Sequence, residues 1–209
     1  ILLEYPQATV RGEAQFELGR LYLAMGDPER ALREFRRLQT ETTSQELRAR
    51  TLAAIGEAHS ALGNRTEAEA RLKETISLYP KSAAAVEAQV LLGDVQLGFR
   101  DYDAAVVNYR ASADNATAPQ ELRVRAFVGL ASAQQGKSDN AAALLSYESL
   151  FKLVPWENIE PSVVRKAAAT ARKAGNFTTA QAWLERLFAD TLVNVDQRAV
   201  LAELGDIAR

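Results

Sequence analysis

The sequence predicts an all-α protein built as a solenoid of helical hairpins, and the first observation behind this prediction is a series of glycines. Gly19, Gly56, Gly93 and Gly129 are 37, 37 and 36 residues apart. Each lies within an amphipathic pattern of helical period, where glycine costs about 1 kcal/mol relative to alanine. Four such positions at one period indicate close contacts between helices that repeat along the chain.

The second observation is an internal alignment. Residues 5–19 align without a gap on residues 79–93, with seven of the fifteen positions identical and an offset of 74 residues, twice the glycine period. The glycine series continues at Ala168 and Gly205, after steps of 39 and 37 residues. The repeat therefore covers five units and the start of a sixth.

Composition is the third observation. Alanine, leucine, arginine and glutamate dominate, whereas the whole chain of 209 residues has 11 glycines and 6 prolines. These residues favour helices. Because each repeat unit packs mainly on its neighbours, we expect one elongated domain.

Each unit reads as two helices joined by a short turn. Gly26-Asp27-Pro28 typifies the turn, with a glycine ending one helix, an N-cap aspartate and a first-turn proline beginning the next. Proline at Pro80 and Pro155 closes second helices. We place the hairpins at about 12–41, 46–80, 82–117, 120–155 and 159–192, with a partial sixth unit from 196.

The second helix of each unit carries an alanine followed four residues later by a large apolar residue. This spacing places both on one face, and the alanine lets a neighbouring helix approach. In the fourth unit the pair lies two residues further from the repeated glycine than in the other units, which predicts a longer turn in that hairpin. The pairs are Ala31 and Phe35, Ala68 and Leu72, Ala105 and Tyr109, Ala143 and Tyr147, and Ala180 and Leu184.

The side-chain inventory argues against an enzyme, a cofactor site or a small-molecule substrate. The chain has no cysteine and one histidine, His59, which occupies the repeat position of Tyr22 and is expected to pack against the partner helix. A single histidine without cysteine is too little for a metal site. Paired acids such as Glu67 and Glu69 fall at the start of second helices, where they complement the helix dipole.

Charge and hydropathy limit the kinds of partner that the sequence predicts. With 27 acidic and 25 basic residues, the net charge of −2 lacks the basic excess that general nucleic-acid binding requires. No apolar run approaches the roughly 18 residues of a membrane-spanning helix. The chain begins at Ile1 and ends at Arg209 within a helical pattern, so we expect a fragment of a longer protein.

The motifs resemble the tetratricopeptide repeat (TPR). Its pattern has Leu-Gly-x-x-Tyr in the first helix, Ala-x₃-Phe in the second and a closing proline. Leu18-Gly19-x-x-Tyr22 and the pair Ala31 and Phe35 fit that pattern. The sequence departs from this pattern in three ways. Arg100 replaces the turn glycine, Ala168 replaces the helix glycine, and the period is 37 residues rather than 34. The resemblance implies a right-handed superhelix of antiparallel hairpins.

A finer resemblance concerns the Tyr-Pro dipeptides. Tyr79-Pro80-Lys81-Ser82 is similar to the opening of repeats in BamD-like and YbgF-like proteins of the bacterial envelope, although Tyr5-Pro6-Gln7-Ala8 lacks the serine. This resemblance implies a periplasmic or outer-membrane-associated scaffold. A cytoplasmic TPR adaptor stays open as the alternative, and an RNA-binding helical repeat is a weaker one.

In the TPR family the first helices line a concave groove that binds partner segments. The resemblance therefore implies a protein or peptide partner, of a kind that the sequence does not specify. The carboxylate-clamp positions carry Phe16, Arg20, Ala54, Glu87 and Leu91, which disfavours chaperone C-termini. The implied groove residues are Phe16, Arg20, Leu23, Ala53, Glu57, Ser60, Val90, Asp94, Leu97, Leu130, Arg165 and Arg172.

A dense basic group marks the fifth unit. Arg165 and Arg172 are seven residues apart and form one helical stripe, with Lys166 and Lys173 beside it. One interpretation is a solvated helix face. The alternative is that Arg165 and Arg172 extend the groove toward an acidic partner segment or an anionic surface.

Overall fold

A computed structural model describes residues 6–190 of the protein. This part of the chain consists of ten α-helices and one short 3₁₀ turn, with no strand, so the all-α solenoid prediction is confirmed. Odd-numbered helices are the first helices of the hairpins, and even-numbered helices are the second. The helices are α1 (Pro6–Ala24), α2 (Pro28–Glu41), α3 (Gln45–Ala61), α4 (Arg65–Leu78), α5 (Ala83–Gly98), α6 (Tyr102–Ala113), α7 (Gln120–Gly136), α8 (Asn140–Leu153), α9 (Pro161–Lys173) and α10 (Phe177–Asp190).

The hairpin bounds differ from the expected ones mainly at the start of the chain. Helix α1 begins at Pro6, six residues before the expected start at residue 12. The 3₁₀ turn at Trp156–Asn158 lies in the connection before the fifth hairpin. The expected sixth unit from residue 196 lies outside the described residues.

Three-residue turns join the helices of every described hairpin, and each turn contains a left-handed residue. Gly26, Gly63 and Gly175 have φ values of 74°, 74° and 78°. Arg100 takes the same conformation with φ 61°, at the position that glycine holds in these three turns. Asp27 caps α2 by accepting a hydrogen bond from the backbone N–H of Arg30, as expected from the sequence.

The fourth hairpin departs from the expected turn. Gly136 is the last residue of α7, and the left-handed residue is Ser138, with φ 63°. The expected longer turn is therefore wrong, because α7 itself continues further while the turn keeps three residues. The longer α7 explains why Ala143 and Tyr147 lie two residues further from Gly129 than the equivalent residues of other units lie from their glycines.

The repeated glycines lie where two helices of one hairpin meet. A Cβ atom added to Gly19, Gly56 or Gly93 would come within 2.3, 2.7 and 2.8 Å of the large apolar residue on the second helix. Such distances leave no room for a side chain. The residues they contact are, in order, Phe35, Leu72 and Tyr109.

Gly129 makes a different contact. A Cβ atom there would come within 2.4 Å of Tyr109, which belongs to the preceding hairpin. The Tyr109 ring therefore lies between Gly93 of its own hairpin and Gly129 of the next one. Since Tyr109 is almost completely buried, one ring joins the third and fourth units.

The junction between the fourth and fifth hairpins is the most irregular in the described solenoid. First helices of neighbouring units pack on each other from α1 to α7, whereas α7 and α9 meet only marginally, and α9 covers α8 less than other successive helices cover one another. The ring centroids of Phe151 lie 4.8 Å from Trp183 and 5.5 Å from Trp156. This aromatic cluster connects the fifth hairpin to α8.

His59 packs in the second hairpin, as the sequence suggested. Its side chain is 7% exposed, and its Nδ1 is buried without a hydrogen-bond partner in the described part of the chain. Burial lowers the pKa of His59, and nearby Arg36 and Arg71 lower it further, against the opposing effect of Glu67. The folded state therefore favours the neutral imidazole.

This preference predicts a loss of stability in mild acid. Because the folded pKa lies below the ordinary value of about 6.5, the unfolded chain binds more protons between the two values. The His59 contribution is complete above pH 6.5 and is lost as the pH falls below it. We expect His59→Tyr, which restores the residue of the first unit, to reduce the difference in unfolding free energy between pH 7.5 and 5.5. Urea titrations at both pH values measure this, and an unchanged difference would contradict it.

Candidate functional site

The first helices form one face of the solenoid, which we call the groove, and two cavities open on it. The N-terminal cavity has a volume of about 280 Å³ and lies between α1, α3 and α5. Its floor is made of small and apolar side chains, and its walls carry charges. The lining residues are Phe16, Glu17, Arg20, Arg50, Ala53, Ala54, Glu57, Glu87 and Leu91.

Ion pairs cross this cavity between helices one repeat apart. Arg20 on α1 pairs with Glu57 on α3 at 2.6 Å, and Arg50 on α3 pairs with Glu13 on α1 at 2.8 Å. The Arg50 guanidinium also lies 4.2 Å from the centre of the Phe16 ring, a cation–π distance. These contacts leave Phe16 largely buried.

Glu57 lies in the N-terminal cavity together with a second carboxylate, Glu87. Desolvation raises the pKa of Glu57; Arg20 opposes this rise, and Glu87 adds to it. Glu87 has no ion pair with any residue from 6 to 190 and is half-buried. The N-terminal cavity therefore holds a carboxylate whose charge the described groove does not neutralise.

The C-terminal cavity is larger, with a volume of about 900 Å³. It opens above α7, with α5 on one side and α9 on the other, where α7 and α9 separate. Residues 154–160, which connect α8 to α9, contribute to its wall. The apolar lining consists of Leu97, Val124, Val128, Leu150, Val154, Ile159 and Val163.

A polar network sits on the α5 side of this cavity. The Tyr109 hydroxyl donates a hydrogen bond of 2.5 Å to Asp94, whose other carboxylate oxygen lies 3.2 Å from the Arg125 guanidinium. Desolvation raises the pKa of Asp94, although Tyr109 and Arg125 both favour the carboxylate. Burial also raises the pKa of Tyr109 far above its usual range, so its hydroxyl keeps its proton and remains a donor.

Three further charged residues line the same cavity: Glu121 on α7, Glu160 before α9 and Lys166 on α9. None of them forms an ion pair within the described residues. The cavity therefore combines an apolar interior with charges of both signs that remain available to a ligand.

Six of the twelve groove residues implied by the sequence line a cavity. Phe16, Arg20, Ala53 and Glu57 line the N-terminal cavity. Asp94 and Leu97 line the C-terminal one. The structure thus divides these six between two sites on opposite sides of α5.

The other six implied residues line neither cavity. Val90 is completely buried and Leu130 almost so; both belong to the core around Tyr109, so their side chains are unavailable to a partner. Arg165 is half-buried, and Lys166 beside it lines the cavity instead. Arg165 therefore stays a predicted groove residue that neither cavity includes. The remaining three, all half-buried, are Leu23, Ser60 and Arg172.

Sequence reasoning missed most of the α7 contribution. Val124 and Val128 are four residues apart and continue the helical stripe of Gln120. This spacing was visible in the sequence, but the separation of α7 from α9 that opens the stripe was not.

Between Pro6 and Asp190, no three His, Cys, Asp or Glu side chains are grouped closely enough to hold a metal ion. In the same range, every helix is too short or too polar to cross a membrane.

The stacked hairpins and the groove define a helical-repeat solenoid. Residues 13–41 and 54–82, which cover most of the first and second units, each match the family model for the tetratricopeptide repeat. These two segments are therefore tetratricopeptide repeats, and the resemblance found in the sequence is confirmed there. Such repeats form a non-enzymatic scaffold that mediates protein–protein interactions.

Solved structures with the same fold include several bacterial proteins. Pseudomonas aeruginosa PilF aligns with a TM-score of 0.72 and 19% identity, over 97% of this chain and 89% of that one. MamA of Desulfovibrio magneticus RS-1 aligns at 0.63 and 19% identity, over 85% and 93%. A thermophilic TPR protein of Thermus thermophilus aligns at 0.62 and 13% identity, over 92% and 98%. No curated protein matches the chain significantly in sequence.

Proposed function

We propose that this protein is a non-catalytic scaffold that holds a segment of a partner protein in its groove, within an assembly of the bacterial envelope. The C-terminal cavity carries the proposal. Its volume of about 900 Å³ lies at the upper end of the range of roughly 300–1,000 Å³ typical of binding pockets. It opens onto the face of the first helices, where an extended or helical segment can lie along the solenoid.

The lining of this cavity supports a peptide ligand with an apolar anchor. Val124, Val128 and Val163 offer apolar contact surface on two helices. Binding energy at protein interfaces is usually concentrated in a few anchors that fill such pockets. Asp94 and Arg125 are already paired with each other, so they present a fixed polar edge rather than a free charge.

The unpaired charges in the groove favour a different partner from the acidic one that the sequence suggested. Lys166 is the basic residue of the C-terminal cavity that is free of an ion pair within residues 6–190, and Glu121 and Glu160 accompany it. Glu87 adds a further unpaired carboxylate in the N-terminal cavity. The groove therefore favours a partner segment that combines an apolar anchor with basic side chains.

The envelope location rests on the Tyr-Pro motifs and the longer period, which resemble BamD-like and YbgF-like proteins. A chain without cysteine is also compatible with an oxidising compartment. Fractionation of cells that produce the tagged, full-length protein tests the location. Recovery in the cytoplasmic fraction would favour the cytoplasmic adaptor.

Groove binding can be tested by site-specific photo-crosslinking in the native organism. A photoreactive amino acid at Gln120 or Ser162, both exposed and on the cavity wall, should crosslink one common partner. The same amino acid at Val107 or Ser149, exposed on the second helices, is the matched control. Crosslinks from the control positions alone would contradict groove binding.

A blocking substitution gives the quantitative prediction. Ser162→Trp places a large ring at the cavity mouth, and we expect it to weaken binding of the crosslinked partner at least tenfold, or about 1.4 kcal/mol. Ser149→Trp on α8 should leave the affinity unchanged. Equal affinities for the two variants, measured by calorimetry, would place the binding site elsewhere.

A further inference from the structure

One face of α1 exposes a stripe of apolar residues at helical spacing. Val10, Leu18 and Leu21 are 68%, 39% and 54% exposed, and Ala14 between them is exposed as well. The steps of four, four and three residues place all four on one side of the helix. Single exposed apolar residues are ordinary, but a continuous stripe along a helix indicates a contact surface.

The internal alignment shows what this stripe corresponds to. The residues 74 positions later are Ala84, Ala88, Leu92 and Val95 of α5, and they are between 0% and 3% exposed. Two of the four pairs are identical, Ala14 with Ala88 and Leu18 with Leu92. The same helix face is therefore buried in the third unit and open in the first.

Helix α4 covers the face in the third unit. Ala88, Leu92 and Val95 belong to one apolar cluster with Ala68, Leu72 and Ile76 of α4. These three α4 residues are four apart, so they form the stripe of small and large side chains found on the second helices. A helix with that stripe is what fits the exposed face of α1.

The sequence before α1 indicates where such a helix ends. Tyr79 is the C-cap of α4 and Pro80 follows it. Tyr5-Pro6 aligns on this dipeptide, and Leu2 aligns on Ile76 of α4. By sequence, Tyr5-Pro6 therefore corresponds to the dipeptide that follows a second helix, and Pro6 is the first residue of α1.

A second copy of the chain does not supply this helix from its described residues. The stripe positions of its own second helices are already buried within the chain. In the last of these helices, α10, both Ala180 and Leu184 are buried. Covering α1 with any of them would require another hairpin to open.

We infer that the exposed face of α1 is a unit-to-unit interface that binds the second helix of another hairpin, joined to α1 through Tyr5-Pro6. The interface continues the stacking of α4 on α5, with the side chains that this contact uses. Helix α1 is then an internal helix of the solenoid rather than its cap, since a capping helix would have a polar outer face.

The test adds the missing helix. Residues 42–78, which contain α3 and α4, are fused directly before Tyr5, so that the added α4 precedes α1 as it precedes α5. We expect the Tm to rise by about 5 °C or more, because each unit in a stack is stabilised by its neighbour. Val10→Glu with Leu21→Glu should change the Tm of the original chain by less than about 2 °C, since both side chains are exposed. The same pair should abolish the gain in the fusion.

A second measurement reports coverage of the face directly. The chain has no cysteine, so Leu21→Cys introduces a single thiol. Its labelling by a soluble disulfide reagent should be at least tenfold slower in the fusion than in the original chain. Leu145→Cys, on an exposed face of α8, should react equally in both. No rise in Tm together with unchanged labelling of Leu21→Cys would overturn the inference. Dimerisation of the original chain that Val10→Glu with Leu21→Glu abolishes would also overturn it, because the occupant would be a second copy.

Discussion

Replacing Gly129 with leucine should lower the Tm by about 6–12 °C. A Cβ atom at this position would lie 2.4 Å from the Tyr109 ring, and that ring is held from the other side by Gly93. Overpacking of this kind costs on the order of 1–3 kcal/mol, and each kcal/mol shifts the Tm of a domain of this size by roughly 2–4 °C. Because the ring cannot move away, we expect the upper part of this range. Thermal unfolding followed by circular dichroism measures the effect.

Two variants separate the close contact from the general effect of changing a helical glycine. Gly98→Ala lies on α5 with open space around its Cβ, so the better helix propensity of alanine should leave the Tm unchanged or raise it slightly. Gly56→Leu meets Leu72 and the backbone oxygen of Ala68, and it should also destabilise the protein. An unchanged Tm for Gly129→Leu would mean that the helices can separate at little cost.

Replacing Phe151 with alanine should detach the fifth hairpin before the rest of the solenoid unfolds. Phe151 contacts both the core around Tyr147 and the core around Leu184, and it packs edge-on against Trp156 and Trp183. Loss of a packed aromatic side chain costs about 3–5 kcal/mol. Helix α9 has little other contact with the preceding units, so the loss falls mainly on the last hairpin.

The position of the two tryptophans makes this prediction measurable. Trp156 and Trp183 are the only tryptophans of the chain, and both lie in the affected cluster. Tryptophan fluorescence of Phe151→Ala should therefore change at a temperature at least 5 °C below the circular dichroism transition. Leu145→Ala, at an exposed position of the same helix, is the control. Coincident transitions in Phe151→Ala would show that the fifth hairpin unfolds together with its neighbours.

The hairpins were predictable because their signals are local. Gly19, Gly56 and Gly93 each contact a residue of the same hairpin, so one period of the sequence contains both partners. The contact of Gly129 was not predictable in this way. Its partner Tyr109 belongs to the preceding unit, and the two extra residues of α7 change the register in which the helices meet.

The candidate site was only partly predictable for a related reason. Helical spacing places Arg165 and Lys166 about 100° apart on α9, but which of them faces the groove depends on the rotation of the helix about its axis. Contacts between helices set that rotation, and helical spacing alone does not specify it. Val90 was misjudged because apolar residues occur on both faces of α5: Leu91 lines the N-terminal cavity, whereas Val90 lies in the core.

The thin contact between α7 and α9 also affects how a bound partner would change the protein. A segment in the C-terminal cavity touches α7 and α9 together, so it adds a bridge where the solenoid has little packing of its own. Ligands stabilise the state that they bind, and here that state requires the last hairpin to be in place. A partner would therefore protect the backbone amides of α9 and α10 from hydrogen exchange more than those of α1 to α4. Hydrogen exchange could then report on occupancy of the cavity without any label on the partner.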